Sequence, residues 1–80
     1  MKTSSSRSYR VIEDEPLPYL RAWRRHLAWS QRELAAEAGL DPATVQRLEV
    51  LGTAARPHTI RMLAGSLGIT PADLRRQPPA

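Results

Sequence analysis

The chain contains no cysteine, so neither a disulfide framework nor a thiolate metal site can form. Apolar runs are only a few residues long, too short to span a membrane. No charged-then-apolar N-terminal stretch reads as a secretory signal, so a cytoplasmic location is expected. No glycine-rich phosphate loop is present. His26 and His58 are far apart with no carboxylate cluster beside them, which speaks against a zinc site. Ser30 lies near His26, but no buried acid is at hand to orient an imidazole, and Ser30 reads as a helix cap rather than a nucleophile. With no catalytic constellation, the expectation is not an enzyme, with no cofactor, no metal and no small-molecule ligand.

What remains in 80 residues is one small domain with a thin core. Lysine occurs once, at Lys2, and the other eleven of the 12 cations are arginine; against 8 acids they leave a net charge of +4. Lys2, Arg7 and Arg10 balance Glu13, Asp14 and Glu15, so the excess lies in residues 16–80. A basic domain is drawn to polyanions, although the same charge also serves solubility.

Residues 1–8 are serine-rich and aperiodic, and 1–15 as a whole reads as a flexible tail, with Tyr9–Ile12 extended at most. The run Glu13-Asp14-Glu15 reads as solvated, or as pairing with Arg21 and Arg25. Pro16 and Pro18 mark the start of a folded unit over 16–76, and Pro78 and Pro79 place 77–80 in a short C-terminal tail.

Between these limits the periodicity is helical. Leu20, Trp23 and Leu27 form the inner stripe of a first helix. Ser30-Gln31-Arg32-Glu33 is a capping box that opens a second, with Leu34, Ala35 and Ala38 inside and Gly39 as its left-handed end. Asp41-Pro42 opens a third, with Val45 and Leu48 inside. After the loop 53–57, a fourth carries Ile60, Leu63, Ala64 and Leu67 and ends at Gly68. Thr70-Pro71-Ala72-Asp73 starts a short fifth, which brings Leu74 into the core. Trp23, Trp29, Met62 and Tyr19 belong to the core or its rim. The class is all-α: a compact bundle of five short helices.

Two short helices joined by a glycine-containing turn have helix-turn-helix geometry. At about 100° per residue, Val45 and Leu48 fall on one side of the third helix. Ala43, Gln46, Arg47 and Val50 fall on the other. Arg can bridge guanine O6 and N7, and Gln can bridge adenine N6 and N7.

The stretches 20-LRAWRRHLAWSQRELAAEAGLDPATVQRLE-49 and 57-PHTIRMLAGSLGITPADL-74 resemble the phage-repressor/Cro (XRE-like, lambda-repressor-like) helix-turn-helix proteins. The signals are the S-Q-x-E-L-A block, Gly39, V-x-x-L-E, L-A-x-x-L-G-I and T-P-x-x-L in that order. The resemblance implies a sequence-specific double-stranded DNA-binding regulator, most simply a repressor, reading the major groove with helix 42–50. Pro42, Ala43, Gln46 and Arg47 take the base-facing positions. Gln31, Thr44, Arg32, Arg21, Arg25 and Arg56 are the candidates for phosphate contact. Arg24 and Glu49 match a family ion pair between the first and third helices. Bound to DNA, such a protein is associated with the nucleoid.

Several residues depart from the family pattern. Pro42 and Ala43 cannot hydrogen-bond base edges, and Ala28 stands where a glycine is frequent. Apolar Val50 and Leu51 open a loop that usually begins with polar residues. They, with Ala54 and Ala55, either cover an open end of the core or form a subunit interface. A homodimer would place two recognition helices ~34 Å apart on two half-sites. Lys2, Arg7 and Arg10 are candidates for an arm along a groove. A protein-interaction module of the same fold, such as an autoregulating antitoxin or an adaptor with a protein partner, is the alternative reading. A phage or plasmid accessory DNA-binding protein is another.

Overall fold

The structure, a computed structural model, describes residues 13–80. The Tyr9–Ile12 segment and the cations Lys2, Arg7 and Arg10 lie outside the described residues. Among the described residues five helices follow one another: α1 (Leu20–His26), α2 (Gln31–Ala38), α3 (Pro42–Val50), α4 (Pro57–Leu67) and α5 (Pro71–Arg76).

Local chemistry sets their ends. Ser30 Oγ accepts from the Glu33 N–H at 3.0 Å while the Ser30 N–H donates to Glu33 Oε1 at 2.7 Å, the reciprocal pair that opens α2. Thr70 and Asp73 repeat the arrangement at α5, at 3.1 and 3.3 Å. Asp41 accepts from the Ala43 N–H and Pro42 occupies the first turn of α3. Gly39 at φ 71° closes α2, and the turn it makes delivers the chain to α3.

The core gathers Leu20, Leu34, Ala35, Ala38, Val45, Leu48, Ile60, Leu63, Ala64, Leu67 and Leu74, all expected inside. Each fully buried Leu or Ile contributes about 1.5–3 kcal/mol by leaving water. α2 packs on both α3 and α4, and α5 on α4. Trp23 is half-buried against this cluster, and its Nε1–H donates to the Gln77 carbonyl at 2.8 Å, tying the chain after α5 to α1.

Three expectations are corrected. Leu27 is 38% exposed and outside the core, because α1 stops at His26 and Leu27 is its C-cap, off the helical stripe. Val50 and Leu51 do not cover the core: they are 59% and 70% exposed. Ala55 does close it, and Leu17, one turn before Leu20, adds a core residue that the sequence reading missed. Finally, Glu15 meets Arg75 at 3.6 Å rather than Arg21 or Arg25. The cause is an antiparallel bridge: the Glu15 N–H donates to the Ala55 carbonyl at 2.9 Å, and Ala55 N–H to the Glu15 carbonyl at 2.7 Å.

Candidate nucleic-acid interface

α3 is held by its inner residues. Val45 is fully buried and Leu48 nearly so, and this fixes what the helix shows to solvent: Pro42, Ala43, Gln46, Arg47 and Val50 are all exposed. The four residues expected to face bases therefore lie on the open side of one helix. Thr44 is half-buried at its flank, and its hydroxyl accepts from Arg47 Nη2 at 3.4 Å, a long contact that leaves the guanidinium free to reorient.

The C-terminal end of α3 is anchored from two other helices. Arg24 of α1 grips Glu49 with both arms: Nε donates to Oε2 at 2.7 Å and Nη2 to Oε1 at 2.9 Å. Its Nη1 donates to the Trp29 carbonyl at 2.6 Å, a third hydrogen bond from the same guanidinium. Gln31 of α2 adds a third donor, Nε2 to Glu49 Oε1 at 3.1 Å. Arg21 approaches the same oxygen at 4.0 Å from the solvent side.

The Glu49 side chain is fully buried and that of Arg24 only 11% exposed. Burial pushes the Glu49 carboxyl up, but hydrogen bonds from Arg24 and Gln31 and the charges of Arg24 and Arg21 together outweigh it and hold the acid below its ordinary range. The hydrogen bond to Glu49 raises Arg24 against its own desolvation.

The candidate phosphate ligands fall into two groups. Arg21, Arg25 and Arg32 are exposed on α1 and α2. Gln31 sits among them but is half-buried, with its amide nitrogen turned inward to Glu49. The capping box engages the amides of Ser30 and Glu33, while those of Gln31 and Arg32 lie outside it. Arg56 lies on the other side, as N-cap of α4, where no side chain caps the helix end. Between α3 and α4, Thr44, Arg47, Thr53, Arg56 and Thr59 line an open groove of about 490 Å³ floored by Leu40, Leu48 and Ala55. Thr53 and Thr59 were not singled out from the sequence. They come from a loop and a helix start with no local signal, and only the folding of that loop against α3 brings them into the same groove as Arg47.

Among the described residues no cluster of His, Asp and Glu could hold a metal ion. No helix among them is long and apolar enough to cross a membrane.

Comparison with known proteins agrees with this geometry. The helix-turn-helix family model HTH_3 matches residues 20–74, from the first residue of α1 into α5. The crystal structure of a hypothetical transcription factor, NHTF, from Neisseria is similar in fold at a TM-score of 0.67, with 30% sequence identity, and the match covers 84% of each chain. No curated protein matches the chain.

Proposed function

Because the chain belongs to the helix-turn-helix family HTH_3, a non-enzymatic family of DNA-binding domains, we propose that it is a sequence-specific regulator that represses transcription by occupying a promoter. α3 is the element that enters the major groove. The observation that carries this reading is the one-sided burial of α3, with Val45 and Leu48 inward and Ala43, Gln46 and Arg47 outward.

Arg47 and Gln46 are the base readers, and Pro42 and Ala43 supply apolar contact to thymine methyl groups. Gln31, Thr44, Arg32, Arg21, Arg25 and Arg56 hold the flanking phosphates. The uncapped start of α4 beside Arg56 supports its place, since unpaired N–H groups there favour an anion. Gln31 reaches the backbone through its main-chain amide, its side chain being spent on Glu49.

The working form is a homodimer in the cytoplasm, bound to the nucleoid. One module of this size buries limited DNA surface, and exposed Val50 and Leu51 at the end of α3 offer an apolar contact for a second copy. The same pair would equally serve an antitoxin or adaptor with a protein partner, the second reading.

A selection from random duplexes with the purified chain, run at two salt concentrations, tests the proposal. A recovered consensus whose affinity falls steeply with salt supports it. Failure to retain any duplex at low salt overturns it in favour of the interaction module, and strong bending of the recovered site would favour the accessory role.

A further inference from the structure

In the groove between α3 and α4, Thr44 and Arg47 come from α3, and Thr53, Arg56 and Thr59 from the loop and the start of α4. Five of its side chains can therefore donate hydrogen bonds, and among the described residues no carboxylate lines it. Arg56 is also the N-cap of the 11-residue helix α4, whose start no side chain caps. A phosphate group, with its several acceptor oxygens and near-double charge, uses such a donor set more fully than a carboxylate does.

Beneath these donors the floor is apolar: Leu48 and Ala55 are buried and Leu40 is half-buried. The lining is also held in place by the fold. The Thr53 N–H donates to the Arg47 carbonyl at 3.4 Å, and two backbone hydrogen bonds tie Ala55 to Glu15. At about 490 Å³ the groove falls within the range of small-molecule sites, roughly 300–1,000 Å³. A duplex laid across it offers phosphates to the rim, but its bases stay stacked within the helix and cannot reach the floor.

We propose that this groove binds a small phosphorylated ligand carrying an apolar or aromatic ring, of which a nucleoside monophosphate is the simplest form. The phosphate meets Arg47, Arg56 and the threonines, and the ring covers Leu40, Leu48 and Ala55. The regulatory consequence rests on the reading of Arg47 and Arg56 as DNA contacts. The ligand occupies both, so it and the duplex exclude each other, and each lowers the affinity of the other by the same factor. The domain thereby senses a small molecule at the surface that reads DNA.

The site is tested on the full chain without DNA, by following its amide signals during titration with adenosine monophosphate, inorganic phosphate or adenosine at constant ionic strength. The nucleotide is expected to give saturable shifts at Leu40, Thr44, Thr53 and Thr59. It should bind at least about tenfold more tightly than inorganic phosphate, the gain from covering the floor. A Thr53→Val, Thr59→Val double variant keeps the bulk of both side chains, and should lose about tenfold in that affinity with its thermal midpoint unchanged. Equal binding of phosphate and nucleotide reduces the groove to a patch of positive charge and overturns the proposal. So do adenosine binding as tight as the nucleotide's, shifts centred away from the groove, or an affinity that the double variant keeps. Added to a complex with duplex, adenosine monophosphate should release the protein as the groove fills, and a duplex that stays bound overturns the mutual exclusion. If no duplex is retained at all, the regulatory consequence fails with the proposed function, while the titration without DNA still decides the site.

Discussion

Arg24 and Glu49 face each other in a two-point contact, 2.7 and 2.9 Å long, with the carboxylate wholly out of water. A charge pair this enclosed gains little over a well-packed apolar substitute, but removing one member strands the other. It also sets where α3 points, because α1 and α2 both hold α3 through the one acid. Arg24→Ala is expected to cost about 3–5 kcal/mol, as for a broken buried pair. A domain of this length holds roughly 4–12 kcal/mol in total, so the variant should lie close to unfolding in mild urea. Urea titration followed by tryptophan fluorescence measures the loss, and a cost under about 1 kcal/mol would mean the pair is effectively solvated.

The same acid makes stability depend on pH. The Glu49 carboxyl is lower in the folded chain than its ordinary 4.5, so the unfolded chain binds the proton more readily. Its contribution is fully present above 4.5 and is lost as pH falls from there through the lower folded value. Wild type should therefore weaken on acidification in that window, whereas Glu49→Gln should start less stable and show a flatter acid limb. Parallel limbs for the two proteins would remove Glu49 from the linkage.

Much of this architecture is legible in the sequence where the physics is local. The Ser30–Glu33 and Thr70–Asp73 boxes join residues three apart, so their spacing alone announces two helix starts. Val45 and Leu48 are separated by nearly one turn, and the side of α3 left to solvent follows from them. Leu27 failed for the opposite reason: an i, i+7 pattern assumes that the helix continues, and α1 ends one residue too early. The Glu15–Ala55 bridge and the Gln31–Glu49 hydrogen bond join distant parts of the chain. Nothing within either local window signals them. The sequence marks Gln31 only as a candidate for phosphate contact, and nothing local announces that its side chain is also the third donor to a buried carboxylate.

Ala28 occupies the left-handed region at φ 59°, the one non-glycine residue to do so among the described residues. Its Cβ crowds the following carbonyl there, at about 1–2 kcal/mol. Ala28→Gly removes that strain while loosening the unfolded chain, so a net gain of roughly 0.5–1 kcal/mol is expected. The turn between α1 and α2 carries the Arg24–Trp29 hydrogen bond, and the substitution should leave it in place. Thermal unfolding of the two proteins side by side reads the difference, and a lower midpoint for the glycine variant would show that the turn is not strained.

Arg47 and Arg56 line one groove but are expected to fail differently. Arg47→Ala removes a donor from the outer side of α3, and should cost about 1–3 kcal/mol on the preferred site while relaxing discrimination at one base pair. Arg56→Ala removes a cation from the α4 start, and should weaken every duplex about equally while lowering the salt slope by about 1. Binding titrations on a selected site and on single-base variants, repeated across salt, separate the two. Equal losses on all duplexes for Arg47→Ala would move it from base reading to phosphate contact.

Val50 and Leu51 expose apolar surface without supporting the core, so polar replacements there test assembly rather than folding. A Val50→Ser, Leu51→Ser double variant should change unfolding stability by little, about 0.5 kcal/mol, since both side chains are exposed and the α3 C-cap at Leu51 is made by a backbone N–H that serine keeps. If these residues join two copies, the variant sediments as a monomer at concentrations where wild type is a dimer. On a site with two half-sites it should lose cooperative binding while keeping affinity for one. Wild type that stays monomeric both free and on such a site would leave the pair without a role in assembly. A dimer that survives the substitutions would place the twofold contact elsewhere on the helical surface.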